Sequence, residues 1–318
     1  MRASFETFNK LPSDVRQGCI VLSMDVKALY PSMEWNAIVS AVKEMIENSC
    51  MKVENVDWHE VGKYLAVMMT EEEIETEGLR HVIPKRRQNV RRNRKITIRY
   101  LQQKKNQAKW LPARRPGARQ QKRMLALAVS FGVKVVLSNH TYKVGDTVYH
   151  QTAGGPIGLE LTGALSRPFM MRWDKQYLAR LNKVGVKIPV YERYVDDSNQ
   201  VVAPIPEGSK YDTLSKKIVQ GGLDNMNNED TEARTVRILR EIANTIQPGI
   251  VMEEDSPRNH ENRKVPILDM EVWINDDGYI LYQHFEKPMA SRQVLNAKSA
   301  QSESCKRNLR SQWHPHKS

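Results

Sequence analysis

Two adjacent aspartates, Asp196 and Asp197, sit in the stretch ERYVDDSNQVV between two runs of strand-forming residues, and this pair restricts the architecture most. Asp and Asn suit turns, because they tolerate unusual backbone angles and bond their own main chain, so an ordinary hairpin turn is one reading. Yet the pair lacks the glycine that a two-residue hairpin turn prefers, and repulsion between neighbouring carboxylates is best relieved by a bound cation. The second reading is a metal site, which asks for more acidic ligands on rigid elements.

A further candidate lies upstream. CIVLSMDVKALY, from Cys19 to Tyr30, opens as an apolar strand that stops at Asp25, and Pro31 and Ser32 punctuate it. From Glu34 to Asn48 the residues Ile38, Val42, Met45 and Ile46 share one helical face. Asp57 with Glu60 predicts a capping box for a helix carrying Val61, Tyr64, Leu65 and Met68. Arg123 to Leu137 reads as a buried helix, and Tyr142 to Gln151 as a hairpin about Gly145 and Asp146. The glycine-rich AGGPIG leads into a long helix toward Leu181, bent at Pro168. After the Asp196 hairpin, a helix from about Thr231 to Ile246 carries the core stripe Val236, Leu239, Ile242 and Ile246. Val265 to Phe285 is another hairpin, turning at NDDG. Mixed strands and helices without an internal repeat predict an α+β fold, an antiparallel sheet backed by helices.

Charge narrows the partners. The chain of 318 residues carries a formal net charge of +12, and from Leu79 to Gly145 there is no Asp or Glu. The basic residues are densest in KRRQNVRRNRK, Lys85 to Lys95, and ITIRYL is the most strand-like piece nearby. Such a block repels itself unless a polyanion lies against it, and nucleic acid is the commonest one. A solvated basic loop and a nuclear-import signal remain as alternatives. No apolar run is long enough to span a bilayer and the N-terminus has no signal-peptide core, so the expectation is an intracellular protein, nuclear or cytoplasmic, neither secreted nor membrane-bound. Cys19, Cys50 and Cys305 form no CxxC pair, which argues against a disulfide framework or zinc knuckle. Cys305 with His314 and His316 reads as a polar tail rather than half of a metal site.

DVKALYPS at Asp25–Ser32, QTAGGPIG at Gln151–Gly158, YVDD at Tyr194–Asp197 and ILDMEV at Ile267–Val272 occur in the order of a reverse transcriptase palm, which the chain resembles over roughly Cys19 to Pro288. The piece NRKVPILDMEVWINDDGYILYQHFEKP is similar to the segment joining palm and thumb in Penelope-like retroelements, and NHTYKVGDTVYHQTAGGPIG to their approach to the second motif. The resemblance implies an RNA-directed DNA polymerase with a right-hand palm, using two Mg2+ ions, or Mn2+ as the alternative, with an RNA template, a DNA primer and dNTPs as partners. It implies that Asp25, Asp196 and Asp197 bind catalytic metal with help from the Val26 carbonyl. Tyr30 falls at an aromatic steric gate against the ribose 2′-hydroxyl, although a core aromatic beside Pro31 is the other reading. Gln151, Gly155 and Pro156 would border the incoming nucleotide and template, glycine permitting close backbone approach. Leu268 and Asp269 fall on a primer-grip hairpin or an ordinary surface hairpin, and Lys264 where a lysine would protonate pyrophosphate.

The implied organisation is an N-terminal segment at 1–20, a palm at 21–263 with a basic insertion at about 80–123, a primer-grip-like hairpin at 264–290, and a truncated thumb or disordered tail at 291–318. Three departures accompany it. LELTG follows the glycine loop where Penelope-like proteins have a Ser-Pro-Leu run. The segment before the first motif and the one after Pro288 are too short for complete fingers and thumb, so both are expected to be incomplete. The 130 residues between Asp25 and Gly155 contain the basic block as an excess, and Arg91, Arg92 and Arg94 are its candidates for contacting the template. DVKALYPSM is also similar to a family B DNA polymerase motif, without that family's Lys-xxx-Asn-Ser-x-Tyr-Gly helix or Asp-Thr-Asp turn. A non-catalytic nucleic-acid-binding protein that keeps the polymerase fold is the alternative from outside the enzymes.

Overall fold

The computed structural model describes residues 1–50, 52–85, 110–111, 113–156, 159–220 and 230–285. Arg91, Arg92, Arg94, the ITIRYL piece, and the tail with Cys305, His314 and His316 lie outside the described residues. The chain begins with α1 (Arg2–Asn9), α2 (Ser13–Arg16), β1 (Ile20–Val26), α3 (Leu29–Ser32), α4 (Trp35–Asn48), α5 (Trp58–Met68) and α6 (Glu71–Thr76). After the basic stretch come α7 (Ala118–Ser138), β2 (Thr141–Val144), β3 (Thr147–His150), α8 (Glu160–Lys183), β4 (Val190–Tyr194) and β5 (Asp197–Val202). The last described part holds β6 (Ser209–Asp212), β7 (Lys217–Gln220), α9 (Thr231–Asn244), β8 (Met252–Asp255), β9 (Val265–Ile267), β10 (Met270–Ile274) and β11 (Ile280–His284).

The main sheet has the order β4-β5-β1-β8, and every pairing in it is antiparallel. Side chains alternate across a strand, so the two faces of β1 have separate fates. Leu22, Met24 and Val26 pack with Val202 against Ile38 and Val42 of α4, Phe169, Trp173 and Tyr177 of α8, and Leu239 and Ile242 of α9. Fully burying each such aliphatic or aromatic side chain contributes about 1.5–3 kcal/mol, and Trp173 stacks on Tyr177 with ring centroids 4.9 Å apart. On the other face Val21, Val190 and Val201 meet Phe5 and Phe8 of α1 and the small sheet β11-β10-β9 through Val265, Ile267 and Val272. That cover stops short of Ser23 and Asp25, which leaves one corner of the sheet open.

The fold is mixed α+β with antiparallel sheets and helices, as expected. Several local expectations need correction. Met45 is exposed rather than part of the buried face of α4. The Asp57 carboxylate accepts from the amides of His59 and Glu60 without reciprocation, whereas the two-way box stands at the next helix, between Thr70 and Glu73. The hairpin β6-β7 and the helices α1 and α6 have no counterpart in the sequence reading, because each is short and none has a sustained apolar period.

Candidate metal centre

Asp25 is the next-to-last residue of β1 and lies on the face opposite Met24 and Val26, so its carboxylate leaves the sheet away from the helices. Its cross-strand partner on β8 is Glu253. The other side of β1 is β5, with Ser23 opposite Asn199 and Met24 opposite Ser198; the same register runs on to set Asp197 beside Asp25. Like charges directly opposite one another destabilise a sheet, so this corner holds its carboxylates against their own repulsion.

The turn that brings Asp196 to the same place is shifted by one residue from the expected one. Tyr194 pairs with Asp197, so the two turn residues are Val195 and Asp196, and Asp197 already belongs to β5. Val195 has φ +56°, in the left-handed region that a β-branched side chain occupies at a cost of about 1–3 kcal/mol. Ligand oxygens of Asp25, Asp196 and Asp197 all lie within 4.8 Å of one another. Among the described residues, neither Asp25 nor Asp196 has a Lys or Arg side chain in ion-pair contact. Lys27 goes to Glu253 at 3.2 Å, and the Arg193 guanidinium goes to Asp174 and to the Asp196 main-chain carbonyl. The Asp25 carboxyl is raised above its ordinary value by desolvation first and the Asp196 carboxylate second, against a hydrogen bond from the Val26 backbone. Three hard oxygen donors this close can hold a metal ion.

The centre opens into a cleft of about 670 Å³. Asp25, Asp197, Glu253, Glu254 and Asp255 form its acidic side, and Ile267, Leu268 and Phe285 its apolar side. Asn199 lies on its floor, where Ser23 Oγ donates to Asn199 Oδ1 at 2.8 Å and Asn199 Nδ2 is buried without a hydrogen-bond partner among the described residues. Glu253 and Asn199 are absent from the sequence reading. The acidic run MEED just after a helix was the available signal for Glu253, while nothing local marks Asn199.

Other sequence candidates are placed as follows. Val26 turns its side chain into the core, and its main chain serves the site by hydrogen bonding the Asp25 carboxylate. Tyr30, Gln151, Gly155 and Pro156 form one cluster just beyond β1, but none lines the cleft. Gly155 donates to the Tyr30 carbonyl at 2.7 Å, Trp35 Nε1 donates to the Gly154 carbonyl at 2.7 Å, and Gln151 Nε2 donates to the Ala153 carbonyl at 2.8 Å. Thr162 Oγ1 donates to the Pro156 carbonyl at 2.6 Å. A Cβ on Gly154, where φ is +74°, would stand 2.7 Å from the Pro31 carbonyl oxygen, and one on Gly155 would stand 2.5 Å from Thr162 Cγ2. The close approach that glycine permits here is to the chain's own α3 and α8. Leu268, with φ +57°, does reach the cleft. Asp269 is not among the cleft-lining residues and uses its carbonyl to accept from the Phe285 amide at 2.8 Å. The Lys264 ammonium lies 4.2 Å from the centroid of the Trp273 ring and lines no part of the cleft.

No protein-family model, no curated protein and no solved structure matches this chain. No described helix is long and apolar enough to cross a membrane.

Proposed function

We propose that the chain is a template-directed nucleotidyl transferase of the reverse transcriptase kind, adding dNTPs to a primer on an RNA template. One observation carries the reading: carboxylates from two distant parts of the sequence, Asp25 and the Asp196–Asp197 pair, converge within 4.8 Å on the open corner of an antiparallel sheet. Two divalent ions about 3.5–4 Å apart need such a ligand set, and polyphosphate oxygens fill the rest of their coordination. In this reading Asp25, Asp196 and Asp197 hold two Mg2+, which when bound acidify the primer 3′-hydroxyl and neutralise the departing charge.

The reaction joins the primer 3′-oxygen to the α-phosphorus of the dNTP and breaks the bond to the β-phosphate bridging oxygen. The hydroxyl proton passes to solvent and pyrophosphate leaves. Phosphoryl transfer asks chiefly for positioning and charge stabilisation, which is what this chain's residues provide. The strand ends fix the carboxylates. Ile267, Leu268 and Phe285 give the cleft an apolar wall against which a sugar and base can lie. Lys264, whose ammonium lies 4.2 Å from the centroid of the Trp273 ring, is carried forward as the candidate for protonating pyrophosphate. Arg91, Arg92 and Arg94 are carried forward as template contacts on charge alone.

Primer extension on an RNA template, with the wild-type chain beside Asp196→Asn, tests the proposal. Mg2+-dependent dNTP incorporation that the substitution abolishes is the expected result. The +12 charge and the acid-free run from Leu79 to Gly145 also favour a second reading, a nucleic-acid-binding protein without catalysis. RNA binding with incorporation by neither protein would establish that reading in place of the first.

A further inference from the structure

Arg193 touches the centre from the side of the sheet that faces the helices. It sits on β4 opposite the buried Ser198, so its side chain runs beneath the sheet toward α8. There Nε donates to Asp174 Oδ1 at 2.7 Å and to Oδ2 at 2.9 Å, and Nη2 lies 2.7 Å from Oδ1. Tyr191 Oη donates to the same carboxylate at 2.5 Å and accepts from Arg193 Nη2 at 3.1 Å. The remaining nitrogen, Nη1, donates to the main-chain carbonyl of Asp196 at 2.8 Å. The guanidinium carbon also lies 5.4 Å from the centroid of the Trp173 ring. Side-chain exposures of 10% for Arg193 and 16% for Asp174 exclude the reading of a solvated surface pair.

The carbonyl that Arg193 grips belongs to the turn in which Val195 takes φ +56°. A strained conformation persists only where its surroundings over-determine it, and a rigid fork anchored on a long helix does so. We propose that Arg193, fixed by Asp174, is the positioning residue that locks the Val195–Asp196 turn and so sets the Asp196 carboxylate where it can share an ion with Asp25. The inference deepens the metal-site reading and rests on it.

An ammonium group can pair with Asp174 but cannot reach the Asp196 carbonyl at the same time, because it lacks the planar fork. Arg193→Lys is therefore the first variant. Arg193→Met combined with Asp174→Leu is the second, removing both charges so that neither remains buried without its partner. Two readouts are taken on each folded protein: Mn2+ affinity by electron paramagnetic resonance, and amide hydrogen exchange across residues 194–197. Both variants are expected to bind Mn2+ roughly 10-fold more weakly and to exchange the turn amides several-fold faster, with kcat for incorporation falling more than KM. A role confined to stability would lower the thermal midpoint and leave Mn2+ affinity unchanged, and that result overturns the proposal. Faster turn exchange in a protein whose Mn2+ binding is absent, or indifferent to Asp25→Asn, overturns the metal reading while locating the lock. Unchanged exchange alongside Asp25-dependent Mn2+ binding overturns the lock alone.

Discussion

Glu77, just after α6, and Asp25, near the end of β1, are both carboxylates in charged neighbourhoods, and the neighbourhoods have opposite sense. The Glu77 side chain is 17% exposed and lies between Lys43 of α4, at 2.8 Å, and Arg123 of α7, which also bonds it. Burial pushes its carboxyl up, but the two cations outweigh burial and hold it below the ordinary value. At Asp25 burial pushes the same way and the Asp196 and Glu253 carboxylates add to it. One cluster is closed by the protein's own cations and ties three helices together. The other gathers the ligand oxygens of Asp25, Asp196 and Asp197 within 4.8 Å beside a cleft, an arrangement that could hold a metal ion. The contrast separates a charge cluster balanced inside the fold from one whose carboxylates could hold a metal ion.

The largest effect expected from this contrast is on chemistry. Asp25→Asn should lower incorporation by roughly 10³-fold, the scale of losing an electrostatic stabiliser of a transition state, while Glu77→Gln leaves the rate per folded molecule unchanged. Single-turnover extension, normalised to folded protein, compares the two. Next comes stability: Glu77→Gln should cost about 1–3 kcal/mol in urea unfolding, since Lys43 and Arg123 lose a charged acceptor. Asp25→Asn should cost nothing in the absence of divalent ions, and a loss like that of Glu77→Gln would erase the distinction.

Smaller again is the response to metal. Mg2+ at ten times its Kd should stabilise the wild type by about 1.4 kcal/mol and leave Asp25→Asn unmoved. The smallest effect is on the pH slope of stability, where the two clusters have opposite signs. Glu77 has a depressed folded-state value, so its contribution is fully present above the ordinary 4.5 and is lost as pH falls through the lower folded value. Asp25 has a raised value, so without metal the fold loses stability as pH rises from the ordinary 3.8 through the raised folded value. Subtracting the unfolding profile of Asp25→Asn from that of the wild type between about pH 3 and 7 isolates the second slope. A difference that is flat, or of the other sign, would show that burial and the neighbouring carboxylates do not raise Asp25 in the folded chain.

Much of the local structure was legible. The stripe Val236, Leu239 and Ile242 is buried on α9 as its spacing required, and the hairpins about Gly145, Asp196 and NDDG all form. Each depends on neighbours within a few residues, which is what periodicity and turn chemistry report. What was not legible has the opposite cause. Glycine in the AGGPIG loop marks a close approach, but only packing shows that Pro31 and Thr162 lie against it. The contact of Lys264 with Trp273 follows from the pairing of β9 with β10, which no local pattern reports.

The sequence by itself determined the face that Asp25 takes and that the Asp196–Asp197 pair lies at a tight turn. Alternation in IVLSMDV sets Asp25 against the apolar face, and the two strand runs around VDD leave room only for a tight turn. Tertiary structure decided that these pieces meet. Ser23 and Asn199 are 176 positions apart, and their pairing, like that of Asp25 with Glu253, follows from how whole strands bury their faces between α1, α4, α8 and the β9–β11 sheet. Such long-range pairing is chosen by the summed burial of many side chains, so no local stretch of the chain encodes it.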